Sequence, residues 1–162
     1  MAKLQRSRRS VKSTYLTPYG LERVKGELNY LKKIKRVQVT ERIKVAREFG
    51  DLAENSEYDA AMDEQAMVEN RIVELEEILR NAKVISKEGN NEFVIIGSTV
   101  QIEMDGEIDE FTIVGRVEAN PAKKRISNES PVGSALLGAK VGDEVEVATP
   151  IVRYKCKILK IK

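Results

Sequence analysis

Apolar residues recur at helical spacing through the first half of the chain. From Thr17 to Phe49, Leu21, Val24, Leu28 and Leu31 step by 3, 4 and 3, and the series continues less cleanly through Ile34, Val37, Val39, Ile43 and Ala46. Thr17-Pro18 is a start signal, because Thr caps free amides and Pro at the first helical position has no amide to lose. Gly50 is the matching stop. A second run, Tyr58, Ala61, Gln65, Val68, Ile72, Leu75 and Leu79, alternates steps of 3 and 4. That is a coiled-coil repeat, with Asn55 as cap and Gln65 as a polar interruption that helps to fix register. The turn between them, Gly50-Asp51-Leu52-Ala53-Glu54, is so short that the two helices must lie antiparallel, each roughly 40–45 Å long at 1.5 Å per residue.

After Ala82 the period changes to two. Phe93–Ile96, Thr99–Met104, Glu110–Val114, Glu144–Val147 and Arg153–Leu159 read as strands. Asp105-Gly106 joins two of them as a hairpin. Ser130-Pro131 through Gly138 reads as a short capped helix. The sequence therefore predicts an α+β fold: a long antiparallel helical hairpin over 15–82, a compact β-rich domain over 83–162, and a mobile cationic N-terminal tail over 1–14.

Composition narrows the chemistry. The 162 residues include no His and a single Cys. Ser-His-Asp and Cys-His catalysis, an internal disulfide and a zinc site of the usual kind are excluded. Cys156 reads as strand packing. The longest apolar runs fall far short of the roughly 18 residues of a membrane span, which points to a cytoplasmic protein without a membrane partner. Any site must be built from carboxylates and cations.

The net charge of +2 conceals a division. Residues 1–50 carry 14 basic and four acidic residues, whereas 51–79 carry ten acidic residues and one basic, Arg71. Most of these charges are explained by a basic helix laid against an acidic one. The acids at the turn, Asp51, Glu54 and Glu57, leave two readings open. They are either dipole partners for the start of the second helix or a site held far from the globular mass. Leu52, apolar at the same turn, suggests a docking contact.

Four stretches resemble the bacterial GreA/GreB transcript cleavage factors: Tyr15–Leu31, Ala46–Tyr58, Asn81–Ile85 and Ile126–Val145. The most specific is Gly-Asp-Leu-Ala-Glu-Asn-Ser-Glu-Tyr at residues 50–58. The resemblance implies an N-terminal antiparallel coiled coil followed by an FKBP-like α+β domain, the latter a likeness of fold and not of isomerase activity. It implies RNA polymerase as partner, with the coiled coil inserted in the secondary channel near the nascent RNA 3′ end. The chain then acts as a monomer and not as an enzyme: it stimulates the polymerase's own cleavage of backtracked RNA. Asp51 and Glu54 fall on the family's paired acids, which share a second Mg²⁺ with the polymerase. Glu57 and Tyr58 follow as candidates for water positioning and for a base or backbone contact, and Arg42, Lys44 and Arg47 as candidate RNA contacts. The alternatives are a Gre-like channel-binding inhibitor and a non-catalytic coiled-coil adaptor; an autonomous nuclease is disfavoured because a thin exposed tip cannot exclude water.

Overall fold

A computed structural model describes residues 13–48, 56–86, 92–104, 106–151 and 153–162. Residues 1–12 of the tail predicted over 1–14 and residues 49–55 at the turn lie outside the described residues, whereas Thr14 is not tail but the first residue of a strand, held by pairing with Ala82. The fold class is the expected one, α+β, with a helical hairpin ahead of a sheet domain.

The first helix of the hairpin starts where the Thr17-Pro18 signal places it. Thr17 is extended, and its hydroxyl accepts a hydrogen bond from the Gly20 amide at 3.0 Å. Helix α1 (Pro18–Tyr30) passes through a π-helical turn at Leu31–Lys35 into α2 (Arg36–Glu48) without a break. That turn explains the uneven apolar spacing. From Val24, Leu28 and Leu31, a strict repeat would continue at positions 35, 38, 42 and 45. The buried residues are instead Val39, Ile43 and Ala46, one position later. One extra residue is housed in the wider π turn, where the Arg36 amide reaches back five residues to the Leu31 carbonyl. Ile34 and Val37, which the sequence places in the same stripe, are consequently exposed.

Helix α3 (Ser56–Arg80) follows its 3.5-residue repeat closely: Ala61, Val68, Ile72 and Leu75 are buried. Ion pairs show the helices to be antiparallel. Lys32 pairs with Glu76, Arg36 with Glu69 and Arg42 with both Glu57 and Glu64, so ascending residues on one helix meet descending residues on the other. Arg71, the lone cation of the acidic block, points the opposite way and binds Glu27.

Because the π turn already absorbs one residue, its deletion has a distinctive expected effect. Removing Lys33 leaves the apolar positions in an unbroken 3-4 repeat, and the melting temperature, followed by far-ultraviolet circular dichroism, should stay within a few degrees of the parent. Removing Lys44 instead rotates the rest of α2 by about 100° relative to its partner and should lower the melting temperature steeply. Equal damage from both deletions would contradict this account.

Strand β1 (Thr14–Leu16) pairs in parallel with β2 (Ala82–Val84), tying the two ends of the hairpin together. Neither strand is visible in the sequence pattern, since three residues are too few to show a period. The second domain is a five-stranded sheet of order β5-β4-β3-β7-β6, formed by β3 (Thr99–Met104), β4 (Glu107–Val114), β5 (Arg125–Ser127), β6 (Glu144–Ala148) and β7 (Arg153–Ile161). Within this sheet, among the described residues, only the β4/β5 pair is parallel. The short helix α4 (Pro131–Leu136) is capped by Ser130, as its Ser-Pro start predicts, and Gly138 takes a left-handed φ of 81° just beyond it. Val100, Ile102, Ile113, Leu136, Val147, Cys156 and Ile158 form the core. Cys156 faces inward as expected, and burial pushes its thiol pKa up.

Phe93–Ile96, predicted as a strand, is not one. Phe93 makes a single bridge to Lys140, and Val94 exchanges backbone bonds with the α4 exit through Ala139 and Gly138. Gly97, at φ 99°, then turns the chain sharply. The alternation was still informative about burial, for Val94 and Ile96 are both in the interior.

Candidate functional site

The two candidate regions are the distal end of the hairpin and its base. At the distal end, α2 finishes at Glu48 and α3 begins at Ser56, about 45 Å from Pro18 at 1.5 Å per helical residue. Asp51 and Glu54 belong to the connection between them and lie outside the described residues. Glu57 and Tyr58 are described, on the first turn of α3, and Arg42, Lys44 and Arg47 on the last turns of α2.

These five residues form a charged collar beneath the connection. Arg42 Nε donates to Glu57 at 2.6 Å, and Arg42 Nη1 donates to Glu64 at 2.6 Å. Lys35 also pairs with Glu64. The Arg47 guanidinium lies 5.7 Å from the Tyr58 ring centroid, within cation–π range, with its Nη2 at 3.5 Å from the phenol oxygen. Lys44 lies 3.8 Å from Glu41 on its own helix. Two of the three cations nominated for RNA thus already engage the opposite helix, where they hold Glu57 and Tyr58 in place. The acids of the first α3 turn and Arg47 in the last α2 turn also have the signs that complement the helix dipoles.

The collar leaves a signature in acid. The hydrogen bond from Arg42 holds the Glu57 carboxyl below its ordinary 4.5, those from Lys35 and Arg42 do the same to Glu64, and that from Lys32 to Glu76. A carboxyl depressed in the folded state stabilises above its unfolded value and loses that contribution as pH falls through the folded value. The hairpin's melting temperature should therefore be flat from neutral pH to about 5 and fall below about 4.5. Salt near 1 M, where the screening length is about 3 Å, should shrink the fall. A melting temperature that rises on acidification would contradict the assignment.

At the base lies a contact that no pattern in the sequence announces. A 3₁₀ turn at Arg116–Glu118 follows β4 and lies against β1. Its Glu118 carboxylate is 3% exposed and accepts from the Thr17 amide at 2.7 Å, the Thr17 hydroxyl at 2.6 Å and Arg125 Nη2 at 2.7 Å. Arg125 also lies 5.3 Å from the Tyr19 ring centroid. Thr17 therefore does two jobs: its hydroxyl accepts from the Gly20 amide and donates to an acid about a hundred residues away. Glu118 sits between Val117 and Ala119 in no recognisable motif, so no sequence signal announced it.

Among the described residues, no group of three or more Cys, Asp or Glu is arranged to hold a metal ion, and no helix is long and apolar enough to cross a membrane. The description "Transcription elongation factor, N-terminal" matches residues 14–84, and "Transcription elongation factor, GreA/GreB, C-term" matches residues 89–162. The chain belongs to the GreA/GreB family. Transcription elongation factor GreA of Clostridium acetobutylicum is 53% identical to this Gre factor over 155 residues, covering 93% of this chain and 98% of that one. The protein of the same name from Bacillus subtilis is 50% identical over 148 residues, covering 90% and 94%. A solved structure, GreA factor homolog 1 of Thermus thermophilus, is 32% identical with a TM-score of 0.44, covering 93% of this chain and 99% of that one. This Gre factor is thus a transcription elongation factor of a family that works with RNA polymerase in transcript cleavage.

Proposed function

We propose that this Gre factor inserts its hairpin in the secondary channel of RNA polymerase and delivers Asp51 and Glu54 to the polymerase active centre, where the polymerase itself cleaves backtracked RNA. The observation that carries this reading is a two-helix strut whose described ends, Glu48 and Ser56, lie about 45 Å along the helices from Pro18, with Gly-Asp-Leu-Ala-Glu-Asn between them in the sequence. Glu57, Glu64 and Glu69 on α3 are paired across the hairpin with Arg42, Lys35 and Arg36, so these acids along the strut's sides are neutralised from within.

The donor set at that end suits Mg²⁺, a hard cation that takes one or two carboxylates and keeps the rest of its shell for water and phosphate oxygens. When bound, such an ion supplies charge stabilisation and a polarised water for phosphodiester hydrolysis. The chain's own part is positional: Asp51 and Glu54 offer oxygens, Glu57 held by Arg42 is available to orient a water, and Tyr58 under Arg47 offers a flat face to a base or backbone. Lys44, whose own-helix pair is long and exposed, is the cation best placed to attract the RNA 3′ segment. The factor works as a monomer in the cytoplasm, with the catalysis belonging to its partner.

The test uses stalled, backtracked elongation complexes and, separately, free RNA, each with the protein and Mg²⁺. Cleavage of the complexed transcript alone is expected. Cleavage of free RNA would establish an autonomous nuclease, and binding with no stimulation an inhibitor or adaptor.

A further inference from the structure

We propose that Glu118 is a positioning residue for transcript cleavage, locking the hairpin at a fixed angle to the globular domain so that a tip some 45 Å away arrives in place. This rests on the reading above, in which the globular domain docks and the hairpin delivers carboxylates.

The geometry at the base has the features of a lock. The two domains meet at Thr17, the first residue before α1, and both its amide and its hydroxyl donate to the one buried carboxylate of Glu118. The acid is held from its own domain by Arg125, whose Nε is buried without a hydrogen-bond partner among the described residues, so the guanidinium depends on Glu118 for its charge pairing. The fit is close on all sides. A Cβ on Gly20 would fall 2.0 Å from the Glu118 carboxyl carbon, and one on Gly115 would fall 1.7 Å from the Tyr15 carbonyl oxygen. The Tyr19 ring lies over Arg125 and extends the contact by one helical position. A rotation about this point moves the tip in proportion to the length of the rod, and a displacement of about 1 Å at a reacting centre costs on the order of 100-fold in rate. Few degrees of freedom are therefore tolerable at the base.

Three substitutions attack the lock differently. Glu118→Ala removes the acceptor. Thr17→Val removes the hydroxyl at nearly constant shape, with Thr17→Ser as the conservative rescue that keeps it. Gly20→Ala favours the helix intrinsically yet forces the carboxylate aside, so it separates loss of docking from loss of folding if Glu118→Ala proves unstable. Spin labels at Val37→Cys and Val141→Cys, both on exposed positions, report the angle by pulsed electron resonance in the free protein, while Cys156 stays buried. The expected result is a narrow distance distribution in the parent and in Thr17→Ser, and a broad one in the other three. In elongation complexes the same three should lose tenfold or more in saturating cleavage rate, with the half-saturating concentration within about threefold of the parent. An unchanged distance distribution overturns the lock. A broadened distribution with an unchanged saturating rate overturns the positioning role. If the parent itself does not stimulate cleavage, the functional reading falls and the positioning role with it, while the distances still decide the lock.

Discussion

Asp51→Asn and Glu54→Gln are each expected to lower stimulated transcript cleavage by roughly 100-fold or more, while binding to RNA polymerase changes only a few-fold. The magnitude separates the two readings of the tip. Acids serving as helix-dipole partners are worth about 0.3–1 kcal/mol of helix stability, and their neutral isosteres would leave cleavage untouched. Acids that hold an ion at the reacting phosphate contribute to the transition state itself, and a 100-fold loss corresponds to about 2.7 kcal/mol there. Raising Mg²⁺ should partly restore the single variants, because a site with one carboxylate left binds more weakly without changing its chemistry. The double variant should not be restored. Both readouts come from one assay: cleavage rate in backtracked complexes as a function of Mg²⁺, alongside competition for polymerase binding. Full cleavage by the double variant, or a flat Mg²⁺ response in the singles, would remove the metal assignment.

The second large effect concerns stability. Gly115→Ala places a methyl group 1.7 Å from the Tyr15 carbonyl oxygen and 2.8 Å from its carbon. Neither atom belongs to a flexible side chain, so strand β1 must move. It has little room to do so: Leu16 is fully buried, Ile85 donates to the Leu16 carbonyl, and Thr17 is held by Glu118. Overpacking a rigid site costs about 3 kcal/mol or more, which at this chain length lowers the melting temperature by on the order of 10 °C. Gly26→Ala is the control. Nothing lies within 4 Å of its Cβ, and Gly in a helix interior is about 1 kcal/mol worse than Ala, so the same measurement should show a small rise. Comparable losses at both glycines would show that close approach at Gly115 is not the cause.

The hairpin was legible because its information is repetitive and local. Twenty-five residues of α3 carry one apolar stripe, and Thr17-Pro18 and Ser130-Pro131 state their helix starts in two residues each. The interruption after Leu31 was legible only as untidiness, since a one-residue slip has a definite meaning once a π turn is seen to absorb it. The strands were legible where they alternate over five residues or more. β1, β2 and β5 are three residues each and depend on partners distant in sequence. Phe93–Ile96 alternates like a strand because alternate residues are buried, yet burial alone does not supply a neighbour to pair with. For the site the division is similar. Asp51, Glu54, Glu57 and Tyr58 sit together in one motif, so a linear reading can nominate them. Glu118 acts through Thr17, about a hundred residues away, and a single acid with a long-range partner leaves no mark in a linear pattern.

The β1/β2 ladder has a mechanical consequence. A pair of helices joined only at one end can slide past each other, as two loose sheets of paper do when bent. Here both feet are stitched in register, Thr14 opposite Ala82 and Leu16 opposite Val84. Sliding is then blocked at the foot as well as opposed by the ion pairs above it, and bending requires stretching one helix while compressing the other. The hairpin behaves as a laminated beam, and a push on the globular domain reaches the far end as thrust.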